Sequence, residues 1–385
     1  MFFWLGEGIA RAMSFSLVEE MTMTRTNQIR TAAAFGGLLT FSLVAGVAQA
    51  QPFGNILPLP PQSVSTVPTN GDVNPYGVAY VPKIPTDGII QPNDILVSNF
   101  NNSQNLQGTG STIIRVTSAG QVSQFFQGRQ TGLTAALGVL HDGIVLVGSL
   151  PTTDGTSNTV QPGGLAIVDR NGSQIGFLTS PAINGPWGMA VSDFDNGFAQ
   201  IFISNVLAGT VVRLDVKYAR DGENCIVQAI TTIASGLTHR TDPAALVLGP
   251  SGLYYDRGDD TLFVASSTDN AVYTLPGAGA ATGSLGSGTL LFQDLVHLHG
   301  PIDIAAAPNG HLLIANSDGS NVDPNQPSEI TEYTFAGEFV TEYSVDPNNG
   351  GAFGLHTQAI GERVVRVAAV DDNANSLSMW TLVLY

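Results

Sequence analysis

Gly185-Pro186-Trp187-Gly188-Met189 and Gly249-Pro250-Ser251-Gly252-Leu253 are two copies of one turn, each running directly into an apolar stretch. Related copies are Asn74-Pro75-Tyr76-Gly77, Gly300-Pro301-Ile302-Asp303, Gly351-Ala352-Phe353-Gly354 and, more weakly, Ala136-Leu137-Gly138. The equivalent positions 77, 138, 188, 252, 303 and 354 lie 50 to 64 residues apart, the period of one repeated supersecondary unit. Each turn is followed by a second apolar run with a common ending: Ile95 to Asn99, Val145 to Ser149, Ile201 to Asn205, Leu262 to Ser266, Leu312 to Asn316 and Val367 to Asp371. A third run follows in every unit, with the apolar–polar alternation of a half-exposed strand, as in Ile330-Thr331-Glu332-Tyr333. A fourth runs through Val122 to Phe126, Ser173 to Leu178, Ile226 to Ile233, Thr289 to Phe292 and Phe339 to Val345.

The sixth unit lacks a fourth strand, because the sequence ends at Tyr385 close to its third. Ser63 to Val67, ahead of the first turn, stands where that strand belongs. An N-terminal strand completing a C-terminal sheet closes a ring and removes two exposed edges. The expected fold is therefore all-β: a six-bladed β-propeller with four antiparallel strands per blade, spanning 62–385.

Composition agrees. The 385 residues include 44 Gly and 21 Pro among 43% hydrophobic residues, and only 12% are charged, about half the usual share. With 14 Lys and Arg against 31 Asp and Glu, the net charge is −17, which argues against nucleic acid as a partner. The single cysteine, Cys225, excludes an internal disulfide framework and a thiolate metal cluster.

Residues 1–50 read as processing sequence. Arg25 and Arg30 precede an uncharged stretch from Thr31 to Val47, and Ala48-Gln49-Ala50 supplies small residues at a cleavage point before Gln51. The apolar run is short for a membrane span. The expectation is a signal peptide with an upstream extension, a linker over 51–61, and a mature chain that is exported to the periplasm or medium, does not span the membrane and is monomeric. The leader carries three basic residues (Arg11, Arg25, Arg30) and three acidic ones (Glu7, Glu19, Glu20), so its removal leaves the charge unchanged.

The repeat resembles the NHL family of bacterial six-bladed propellers, through the Gly-Pro-x-Gly entry, the Ile-x-Val-Ser-Asn strand end and the third strand Val211-Val212-Arg213-Leu214-Asp215-Val216. That resemblance covers residues 62–385 and implies architecture; related propellers include lactonases, lyases and binding scaffolds, so it leaves activity open.

In a four-strand meander, the loop entering each blade and the loop between its second and third strands share one face. Ligands are expected there. Entry loops contribute Asn184 and His299, and second-to-third loops contribute Asn99, Asn101, Asn102, Asn205, Asp269, Asn270, Asn316, Asp318, Asp371, Asp372 and Asn373. Such a mouth is rich in oxygen donors, which suits calcium or polyols. A catalytic metal needs several inward His, Asp or Glu around an open position; His299 and Asp303, with Asn184, are the candidates. His239-Arg240-Thr241-Asp242 reads as a mobile inter-blade insertion. Asp193-Phe194-Asp195-Asn196-Gly197 resembles the start of a calcium loop, and Arg257-Gly258-Asp259 an adhesion tripeptide, but both fall in hairpins on the opposite face and read as turn chemistry. Trp187 and Phe353 occupy the same entry site in two blades and read as packing. The function expected first is binding of a small molecule, glycan or protein at the mouth. A metal-dependent, lactonase-like hydrolase or lyase is the alternative, and a structural envelope protein the third reading.

Overall fold

A computed structural model describes residues 56–57, 60–84, 86–219, 222, 224–325 and 329–384. The predicted signal peptide, and most of the residues before Gln62, lie outside these. Among the described residues the chain builds six four-stranded antiparallel sheets, each in sequence order from inner to outer strand except the last. The chain is a six-bladed β-propeller. Its inner strands are Val73–Tyr80, Leu133–Val139, Pro186–Asp193, Pro250–Asp256, Pro301–Ala306 and Ala352–Gly361 in blades 1 to 6. Each packs against the inner strands of the blades beside it, and blade 6 packs on blade 1.

Ring closure follows the sequence expectation. Gln62–Ser65 pairs antiparallel with Ser376–Val383, with Gln62 opposite Met379 and Ser65 opposite Ser376, and Thr66 N–H donates to the Asn375 carbonyl at 2.9 Å. Just upstream, Leu57 is buried at 1% exposure in the core cluster that runs through blades 5, 6 and 1.

The repeated turn has a physical reason. In all six blades the inner strand carries a bulge at this point, as between Pro186 and Met189 or Pro250 and Leu253. The glycine there lets neighbouring blades meet backbone to backbone near the axis: a Cβ on Gly188 would stand 2.2 Å from the Ser251 carbonyl oxygen, and one on Gly354 2.0 Å from that of Tyr76. Hydroxyls stitch the same contacts. Ser98 donates to the Thr134 carbonyl (2.8 Å), Thr134 to that of Pro186 (2.8 Å), Ser204 to that of Ser251 (2.6 Å) and Ser251 to that of Pro301 (2.7 Å), each reaching into the next blade.

Arg213 in the third strand of blade 3 acts at larger radius. It pairs with Asp215 and donates from Nη1 to the carbonyls of Ala278, Gly279 and Ala281 in the turn after the third strand of blade 4. A buried guanidinium is stable only when its donors are met like this.

The inter-blade insertion is ordered, against the expectation of a mobile loop. Arg240–Asp242 pairs with Leu246–Leu248 in a small hairpin, and Leu246, Val247 and Leu248 are all buried. The run Ala244-Ala245-Leu246-Val247-Leu248 is too apolar to stay in solvent. Arg257 is likewise held, donating to the Asp193 carbonyl at 2.9 Å and lying over the Phe194 ring at 4.5 Å.

Candidate functional site

Second strands end opposite the turn proline, or its counterpart, in every blade: Asn99 faces Pro75, Ser149 faces Leu133, Asn205 faces Pro186, Ser266 faces Pro250, Asn316 faces Pro301 and Asp371 faces Ala352. Position explains what the asparagines do. Asn205 accepts from Asn184 N–H at 3.0 Å and donates to the Ala182 carbonyl and Thr210 Oγ1. Asn316 repeats the pattern, accepting from His299 N–H at 2.9 Å and donating to Thr331 Oγ1. Asn99 donates to the Thr66 carbonyl and Thr112 Oγ1. These three amides are fully buried clasps that tie each entry loop, or the N-terminal segment, to the third strand. They shape the mouth without lining it.

The mouth itself is a cavity of 420 Å³ on the face where sequence placed it. Its floor is aromatic: Tyr76, Trp187 and Phe353, from three inner strands, meet over the axis, with ring centroids 5.5 Å apart for Tyr76 and Trp187 and 4.5 Å for Tyr76 and Phe353. Asn74, Asn349, Asp318, Asp372 and Asn373 stand around it, and Val247 and Leu248 of the ordered insertion cover one side. Burial, reinforced by neighbouring Asp371, pushes the Asp372 carboxyl up to about 7. Burial, and then Asp372, drives the Tyr76 hydroxyl above its ordinary range. Of the loop residues expected at the mouth, Asn101, Asp318, Asp372 and Asn373 line this cavity; Asp371 lies behind it, its carboxylate accepting from Ala374 N–H.

His299 and Asp303 do not meet. Asp303 replaces the axial glycine of its blade and lines a separate cavity of 380 Å³ at the other end of the channel. There its two oxygens accept from Ile304 N–H (2.9 Å) and Leu355 N–H (2.8 Å) in adjoining blades. Burial raises its pKa to about 7, only partly opposed by those N–H groups, and lowers that of His356, in the same cavity, to about 4. A carboxyl titrating higher in the folded than in the unfolded chain stabilises the fold in its neutral form. That contribution is full below about pH 4 and is lost as pH rises to about 7. Thermal unfolding from pH 4 to 8 is expected to show a decline that Asp303→Asn flattens; an unchanged slope would place the charge cost elsewhere.

His299 instead finds other partners. One ligand atom each of His299, Asp318 and Glu329 lies within 4.8 Å of the others. Glu329 escaped the sequence reading, although a signal exists: it opens its blade's third strand, where the register puts Thr112, Gly164, Thr210, Ala271 and Ser376 in the other blades. It alone of the six is charged.

No family model matches this chain, and no curated protein does. Solved structures share its fold. Regucalcin from Agrobacterium tumefaciens, a calcium-binding protein, has a TM-score of 0.50 at 12% identity over 84% of this chain and 95% of its own. A luciferin-regenerating enzyme gives 0.50 at 11% identity, over 84% and 95%. The virginiamycin B lyase of Staphylococcus aureus gives 0.47 at 14%, over 84% and 88%. At these identities the likeness is one of fold, and the activity must be argued from the chain's own site.

Proposed function

We propose that this chain is an exported, NHL-type propeller that binds a small polyhydroxylated ring in its mouth cavity. The observation that supports this is the pairing of an aromatic floor with an amide and carboxylate rim. A sugar-like ring has apolar C–H faces that pack on aromatic rings and hydroxyls that both donate and accept. The cavity lies within the range of small-molecule sites. Its acidic rim disfavours anions and supports calcium as an accompanying ion, held by oxygens of Asp372 and its neighbours.

Trp187 reports on occupancy, because Trp380 is the only other tryptophan after residue 50. Titrating residues 51–385 with neutral monosaccharides and cyclic polyols, with and without millimolar calcium, is expected to change tryptophan emission and raise Tm. Trp187→Ala and Asp372→Asn should weaken binding at least about tenfold, roughly 1.4 kcal/mol. A panel in which no compound alters emission or Tm would remove the reading. The second reading, a metal-dependent hydrolase or lyase, is favoured by one observation, the His299, Asp318 and Glu329 cluster beside the mouth.

A further inference from the structure

His299 and Glu329 are each 2% exposed, and both present atoms that no hydrogen bond satisfies. The imidazole Nδ1 lies within hydrogen-bonding distance of the Asn321 carbonyl. A carbonyl only accepts, so Nδ1 carries a proton and Nε2 is the ring nitrogen available to a metal ion. Asn321 is itself pinned, its amide donating to the carbonyls of Leu295 (3.0 Å) and Leu298 (2.9 Å). Nε2 faces Glu329 Oε1 at 3.7 Å, beyond a hydrogen bond. Neither oxygen of Glu329 has a hydrogen-bond partner among the described residues.

Asp318 brings a second carboxylate. Its Oδ2 accepts from Gly350 N–H at 2.7 Å and its backbone N–H donates to the His299 carbonyl at 2.7 Å, which fixes the side chain against the other two. The charges acting on Glu329 after burial are those of Asp318, Glu342 and Asp323, all acidic. A buried carboxylate such as that of Glu329, with neither oxygen hydrogen-bonded, is costly unless a cation joins it.

We infer that His299 Nε2, Glu329 and Asp318 bind one d-block dication of the zinc class. One imidazole with two carboxylates is a zinc-type donor set, whereas calcium takes six to eight oxygens. Two ligands about 2.1 Å from a tetrahedral ion stand about 3.4 Å apart, near the 3.7 Å between His299 Nε2 and Glu329 Oε1, and all three donors lie within 4.8 Å of one another. The Asn321 carbonyl is the supporting group that orients the histidine. His299 also lines a cleft formed with Val296, Val322, Asp323 and Asn325. The site shares Asp318 with the mouth rim but takes its other two donors, His299 and Glu329, from outside that cavity, and it stands whether or not the mouth takes a sugar-like ring.

The test uses residues 51–385 stripped with chelator, then titrated with Zn²⁺ or Co²⁺. One ion per chain should bind, Tm should rise by several degrees, and Co²⁺ should give the intense visible bands of a low-coordinate site with nitrogen ligation. His299→Ala and Glu329→Gln should each weaken Zn²⁺ binding by more than about a hundredfold, while His239→Ala leaves it unchanged. In the stripped protein Glu329→Gln should be as stable as the parent or more so, since it removes an uncompensated carboxylate; this shows that lost metal binding is not lost folding. Failure of Zn²⁺ and Co²⁺ to bind, or binding that survives both substitutions, would overturn the assignment and leave a proton-sharing acid–imidazole pair. The Trp187 titration is unaffected by either result.

Discussion

A chain lacking residues 51–70 is expected to melt at least about 4 °C below residues 51–385 and to aggregate on heating. The deletion removes the outer strand of blade 6, Gln62–Ser65, and with it Leu57 from the core. Burying one leucine contributes about 1.5–3 kcal/mol, and each ladder hydrogen bond about 1 kcal/mol net. The ordering entropy that the shorter chain no longer loses offsets part of this. A net loss of about 3 kcal/mol or more remains, together with an open edge at Ser376–Val383. Calorimetry and light scattering on both chains check it. Equal melting temperatures would mean that the ring is held without this strand.

Substituting Gly354 by alanine should be as damaging, though it adds a single methyl group. The new Cβ would lie 2.0 Å from the Tyr76 carbonyl oxygen, where blade 6 meets blade 1. Backbone cannot rotate aside as a side chain does, so the two blades must part. Overpacking typically costs about 1–3 kcal/mol, and a backbone clash belongs at or above the top of that range. Gly176→Ala is the control, because its Cβ would meet the Ile167 side chain at 3.4 Å; there the change should stay within about 0.5 kcal/mol. Denaturant unfolding of the two variants against the parent gives the comparison, and equal stabilities would refute a close-packed axis.

The fold was legible because six copies average out the exceptions. Gly188, Gly252 and Gly354 answer one steric demand, and the strand ends at Asn99, Asn205 and Asn316 answer one hydrogen-bonding demand, so both recur. Sites are built from the exceptions, which a repeat conceals. A buried asparagine clasp and an asparagine ligand are the same residue in the same loop, and only the direction of the amide tells them apart. From sequence, His299 and Asp303 are expected together at one metal site, but the strand carries Asp303 to the far end of the channel. Glu329 is thirty residues from His299 in sequence and is returned to it by the register of the second and third strands. The aromatic floor was partly in view at Trp187 and Phe353, but their meeting with Tyr76 needs the ring to be closed.

Closure also fixes a timetable. Gln62 pairs with Met379, so the segment that leaves the ribosome early has no partner until almost the whole chain has been made. Contacts of such separation form late, since the intervening loop must first be drawn in. Five blades can assemble from local hairpins as they appear, while the waiting strand must neither stick to itself nor pair elsewhere. Its composition suits that delay. Gln62-Ser63-Val64-Ser65 is short and polar, with Pro58, Pro60, Pro61 and Pro68 on either side, and proline-flanked polar segments are poor seeds for strand aggregation. The last blade is therefore expected to close after the other five, and its first residues suit that wait.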